Sequence, residues 1–368
     1  MLAVVAAVLV AAGPVAGSSG LGPQVARIVK TGVCIVAGDV CRPADAAAAG
    51  LAPCTLSERR TGGSFAVTIY SVRLGGGHQV SIARRSDGSW LVVESDDSDA
   101  GLSAGLGVTA GPVRLGIDGG AGLTIAKAKA WAVPDEAAVR RLLRLRDVDR
   151  PAPLWRSGDA GLATFGWAGL GVKGGDRHEG AGGGLFGAEL SAEMAVGVRL
   201  GRGTTTYFFR AESKGPQLSD AFGHTVGARA RGPVVVEYTR DEEGPHELAF
   251  RIAYRDPAKH ETVETVARLD LRDPASRAVA GRLLRHRPPW VGEASDDLRE
   301  AIRTATATGT VERSVYAVDD GSFDLGLAGR LGFEFGLEGG KTEVVRKLVD
   351  ASAWTPGSRE RAREDCLG

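Results

Sequence analysis

The stretch 323–337, FDLGLAGRLGFEFGL, carries the clearest period in the chain. Phe323, Leu325, Leu327, Leu331, Phe333, Phe335 and Leu337 share one parity, with Gly329 in line. Asp324, Gly326, Ala328, Arg330, Gly332, Glu334 and Gly336 share the other. A period of two is that of a β-strand, whose side chains point alternately to opposite faces. At about 3.3 Å per residue this strand would reach roughly 50 Å, well beyond the usual length of about 17–20 Å. Residues 190–200 behave alike. Leu190, Ala192, Met194, Val196, Val198 and Leu200 oppose Ser191, Glu193, Ala195, Gly197 and Arg199. One apolar face and one small or charged face predicts an antiparallel sheet covered on one side.

Working outward, the same period and its turn signals recur. Phe65, Val67 and Ile69 alternate before Gly75–Gly77; Val80 and Ile82 follow; Asp87-Gly88 is a hairpin signal ahead of Trp90–Val93. Strands are expected at 102–109, 112–118 and 123–133, then near 162–172, 185–200, 204–211, 222–230, 233–240, 247–255 and 261–271. Helices are expected at 135–146, 274–287, 295–304 and 341–352. Pro134-Asp135-Glu136 and Asp273-Pro274 supply the Pro and acidic start signals for two of them. Leu142-Leu143-Arg144-Leu145-Arg146 is echoed by Leu283-Leu284-Arg285-His286-Arg287, as an internal duplication or simply two Arg/Leu-rich helices would produce. The fold class is therefore α+β: a mostly antiparallel, strongly curved sheet of long amphipathic strands with a few covering helices. Glycine, 53 of 368 residues, is spread along the chain and permits that curvature.

Four segments are expected: 1–17, a signal peptide or truncated membrane anchor; 18–60, a disulfide-bearing helical segment; 61–150, a β-meander plus helix; and 151–368, a larger β-rich domain. The charged, Pro-rich run 147–160 marks the boundary. MLAVVAAVLVAA, residues 1–12, has no polar side chain and is followed by small residues, the pattern of an export segment. Twelve apolar residues are too few to span a bilayer as a helix, which takes about 20. Four cysteines, Cys34, Cys41, Cys54 and Cys366, are disulfide candidates in an exported chain. They allow three pairings; one joins Cys34 to Cys41 and Cys54 to Cys366. Their spacing lacks the close C-x2-C pairs of zinc sites.

Composition excludes some partners. With 45 basic and 45 acidic residues there is no electrostatic footprint for nucleic acid. No phosphate loop or H-E-x-x-H motif is present. The six histidines, 78, 178, 224, 246, 260 and 286, have no metal-ligand spacing. The acidic run Glu94–Asp99 is expected in a solvated hairpin loop rather than around calcium. No catalytic, cofactor-binding or metal residue is assigned, and no cofactor is expected.

The segment Val25 to Pro43, VARIVKTGVCIVAGDVCRP, resembles the juxtamembrane region of envelope proteins encoded beside Tad-type pilus genes in actinobacteria. The stretch ETVARLDLRDPASRAVAGRLLRHR, within 261–287, is similar to a strand–helix junction of the same group. The resemblance implies location alone: an extracytoplasmic protein, secreted or held to the membrane by its N-terminal segment. Other envelope or pilus proteins are the expected partners. The expected role is non-enzymatic, structural or interactive. Two alternatives stand beside it. One is an exported hydrolase with an unrecognised site. The other is a pore-forming or membrane-inserting β protein, against which count the low aromatic content, 6%, and helices interrupting the strands.

Overall fold

The computed structural model describes residues 34, 39–61, 77–100, 108–110, 113–115, 123–163, 193–214, 231–256, 261–286, 294–319 and 343–367. Within these, twelve antiparallel strands close on themselves. In ring order they are β1 (Thr55–Thr61), β2 (Gly77–Arg85), β3 (Trp90–Ala100), β6 (Leu123–Val133), β7 (Trp155–Ala163) and β8 (Glu193–Gly201). The ring continues through β9 (Thr205–Lys214), β10 (Arg231–Asp241), β11 (Gly244–Asp256), β12 (Glu261–Asp270), β13 (Thr310–Asp319) and β14 (Glu343–Trp354). Pairing of β1 with β14, Ser57↔Lys347 to Thr61↔Glu343, shuts the ring. The curved sheet is thus a closed barrel, which leaves no long unpaired edge. A hairpin of β4 (Val108–Ala110) and β5 (Val113–Leu115) leaves the ring between β3 and β6 and reaches β8 and β9.

The ladder registers sort the side chains into two faces, and the helices identify the outer one. Helix α2 (Glu136–Arg144) lays Val139 and Leu142 on Ile82, Val92 and Trp131. Helices α3 (Pro274–Leu283) and α4 (Ala294–Thr308) pack Val279, Leu283, Leu298 and Ile302 on Phe209, Val234, Val236, Leu248, Phe250 and Ile252. Asp135 and Asp273 cap α2 and α3, accepting the backbone N–H of Ala138 at 2.7 Å and of Ser276 at 2.8 Å. All three helices lie in connections at one end of the barrel. The other connections at that end are tight turns, at Asp87-Gly88 and Gly203, for example, where the glycines have φ of 85° and 72°.

Several expectations need correction. The helix expected at 341–352 is strand β14, which pairs with both β13 and β1. Segment 18–60 is helical in Pro43–Ala48 (α1), but Thr55 already begins β1. The acidic run Glu94–Asp99 lies inside β3 rather than in a loop. The boundary at 150/151 falls between β6 and β7, which pair from Leu123↔Leu162 to Ala130↔Trp155, so one sheet runs across it. The helices do not interrupt strands; they bridge strand ends and fold back over the outside. The strand read at 323–337, the one at 64–70, the export segment and the stretch 222–230 lie outside the described residues.

Candidate functional site: a charged lumen closed at one end

The face opposite the helices lines the lumen. Arg60 on β1 feels the charge of Arg210 on β9, and these strands are diametrically opposed in the ring. Only an inward position lets them interact. A soluble barrel normally fills its interior with apolar side chains; this one places ion pairs there. Glu237, 1% exposed, accepts from Arg251 Nε at 2.7 Å and from Arg199 Nη1 at 3.3 Å. Arg346 Nε donates to Glu58 at 2.6 Å, and its Nη1 donates to Glu264. Glu58 also accepts from Ser81 Oγ and from Arg60 Nη2, the latter at 3.4 Å. The strands supply these groups by simple alternation: Glu58 and Arg60 on β1, Arg199 on β8, Glu237 on β10, Arg251 on β11 and Glu264 on β12.

The electrostatics follow from burial and pairing. Burial opposes the Arg346 cation, but Glu264 and Glu58 outweigh it and hold its pKa above the ordinary arginine value. Burial wins at Arg60, whose pKa is lowered although Glu58 pulls the other way. Tyr316 lies 4.2 Å beneath the Arg346 guanidinium, and burial with the nearby Glu264 carboxylate raises its phenol well above the usual value. Glu58 and Glu264 share an arginine between them. That is the geometry of a structural ion pair and not of two carboxyl groups exchanging a proton across a substrate.

Segments 39–54 and 361–367 stopper the helix-bearing end. Cys34 is bonded to Cys41 and Cys54 to Cys366. The second bridge packs with inward-facing Tyr316, Leu348 and Ala351, while Val40, Ala46 and Leu51 pack on inward-facing Ala353. Arg363, 1% exposed, fastens the stopper to the wall. It donates to Glu312 of β13 at 3.0 Å, to Asp365 at 2.8 Å and to the Ala52 carbonyl at 3.0 Å. Glu312 is also held by Arg268. On the other side of the lumen Val93, Ala128 and Ala130 pack with Leu91 and Trp155. Asp365 approaches the sulfurs of Cys54 and Cys366. With those sulfurs bonded to one another, no thiolate is left for a metal there.

The cysteines were legible from the sequence. The luminal arginines and carboxylates were not, because an inward charge on an alternating strand reads like a solvated face. Their one signal is that Arg199, opposing the apolar parity of 190–200, sits on a face that closure turns inward. Trp155 faces the lumen with Arg199 5.8 Å from its ring. Comparison with known protein families, with curated proteins and with solved structures finds no match to this chain.

Proposed function

We propose that this chain is a membrane-inserting barrel of the cell envelope, with its lumen shut at the helix-bearing end. The observation that carries the reading is the placement of polarity in a closed, even-numbered antiparallel barrel: buried ion pairs in the lumen, and an apolar outer wall beneath the helices. Membrane barrels are built this way. At the base, α2, α3 and α4 cover the apolar outer surface and stand where lipid would otherwise be needed. The base, with its luminal ion pairs, therefore sits in water, and the opposite end enters the bilayer. The parity of the sequence supports that direction. Odd positions face outward on β13 and on the upper part of β14, and in the sequence Phe323, Leu325, Leu327, Leu331, Phe333 and Phe335 are odd. Among the described residues no helix is long and apolar enough to cross a membrane; a barrel crosses with strands. The two disulfides fit an oxidising, extracytoplasmic setting.

Flotation with phospholipid vesicles tests the reading. The purified chain is expected to need detergent, to float with vesicles and to resist carbonate extraction. A chain that stays monomeric in buffer without detergent and leaves vesicles unbound would overturn it.

A further inference from the structure

On the outer wall, a cleft of about 450 Å³ opens between β3, β6 and the turn that follows α2. Lys127, Lys129, Arg146 and Arg150 line it, against the carboxylates of Glu94 and Asp147. With Asp149, which pairs with Arg146, four cations meet three anions at this surface. Two of the cations are set by the fold. Arg150 is paired with Glu94, donates to the Leu145 carbonyl at 3.1 Å and lies 5.5 Å from the Trp131 ring. Lys129 reaches Asp147 at 2.5 Å. The other two stand at the rim: Lys127 is exposed, and Arg146, 83% exposed, holds Asp149 at 3.1 Å. The Asp147 carboxyl is pulled below its ordinary range, first by Lys129 and then by Arg150 and Arg156, so the cleft is electropositive where that carboxylate sits.

The position of the cleft matters as much as its charge. It lies above the apolar patch covered by α2 and on the side of the barrel read here as facing the bilayer. Val148, 84% exposed, projects from the same short turn between Arg146 and Arg150. An exposed aliphatic side chain flanked by cations is the pattern of a loop that rests in a headgroup layer.

We propose that this cleft binds a phosphate group, and that at the membrane it takes the phosphate of an anionic lipid while Val148 enters the interface. The membrane part rests on the barrel reading above; the phosphate chemistry stands on the cleft alone. Lys127 and Arg146 supply the rim, and Arg146 exchanges Asp149, as Lys129 exchanges Asp147, for the ligand oxygens.

The test compares the wild type with Lys127→Glu/Arg146→Glu on vesicles of phosphatidylglycerol and of phosphatidylcholine. Titration calorimetry with inorganic phosphate runs in parallel on both proteins. The double variant is expected to lose at least about tenfold in affinity for phosphatidylglycerol, two surface cations having been reversed. Its insertion into phosphatidylcholine should be unchanged, and millimolar phosphate should compete with the wild type's binding to the anionic vesicles. Equal affinity of the two proteins for phosphatidylglycerol overturns the proposal, as does an equal loss on both lipids. If neither protein enters any vesicle but phosphate binds the wild type and not the variant, the barrel reading fails while the phosphate site stands. Absence of phosphate binding together with unchanged vesicle affinity removes the site itself.

Discussion

Arg346 shows what a charge inside this barrel contributes. It is 8% exposed, bonded to Glu58 and Glu264, and stacked on Tyr316. Removing one partner of a buried ion pair leaves the others desolvated and uncompensated, a loss of about 3–5 kcal/mol. Arg346→Ala is therefore expected to destabilise the barrel by that amount in urea unfolding. Adding Glu264→Gln to Arg346→Ala should recover part of the loss, because one stranded charge has gone. Tyr316 makes a second prediction from the same layer. Its folded-state pKa is raised by burial, above an unfolded value of about 10. A raised pKa stabilises the fold fully below the unfolded value, and that contribution is lost as pH rises past it. The urea midpoint should fall between about pH 9 and pH 11, and fall less in Tyr316→Phe. An unchanged alkaline slope in that variant would mean the phenol is not what titrates.

At the scale of elements, turns and caps were readable in the chain and strand closure was not. Asp87-Gly88, Asp135 and Asp273 each do what their residue type dictates: a left-handed turn glycine and two helix N-caps. The reading of β14 as a helix has a physical cause. Tyr316 pairs with Leu348 while Val315 pairs with Asp350, so the ladder shifts around Val349. The inward set becomes Arg346, Leu348, Ala351 and Ala353. That interrupted parity spaces Val344, Leu348 and Ala351 as a helix face would, and a bulge thereby mimics a helical period. Closure was illegible for another reason: β1 and β14 are joined by pairs such as Glu58↔Arg346, far apart in sequence, and no local pattern announces them. The junction of α4 and β13 allows a direct test of how tightly the helices seat on the wall. A Cβ on Gly309 would lie 2.1 Å from the Arg268 carbonyl oxygen and 2.5 Å from that of Ala305. Both are backbone atoms, so the strand or the helix end must move. Gly309→Ala is expected to cost about 1–3 kcal/mol by overpacking, read as a lowered thermal midpoint, whereas Gly281→Ala, with open space around its Cβ, should be close to neutral or stabilising.

The whole molecule has a two-fold plan. Strands β1, β2, β3, β6, β7 and β8 form one half of the ring, and β9 to β14 form the other. In each half the helical crossing follows the fourth strand and begins at an aspartate cap, Asp135 or Asp273. Each half also opens with a strand bearing a buried luminal arginine, Arg60 or Arg210, and these face one another across the lumen. The sequence echo between 142–146 and 283–287 thus has a counterpart in the architecture. The two seams between the halves are not equivalent. At one, β8 runs into β9 through a tight turn closed by the Gly201 N–H on the Thr204 carbonyl. At the other, β14 meets β1 with no peptide link, and the stopper does the joining through Cys54–Cys366 and Arg363. Breaking that bridge should therefore act on one seam alone. Cys54→Ser/Cys366→Ser is expected to cost about 2–5 kcal/mol, the usual range for a native disulfide. Its distinguishing sign is local. Hydrogen exchange should quicken at the amides pairing β1 with β14, Glu58 to Thr61 and Glu343 to Arg346, while those pairing β8 with β9 keep their protection relative to global stability. Uniform loss at both seams would show that the bridge stabilises the chain as a whole and does not fasten the barrel shut.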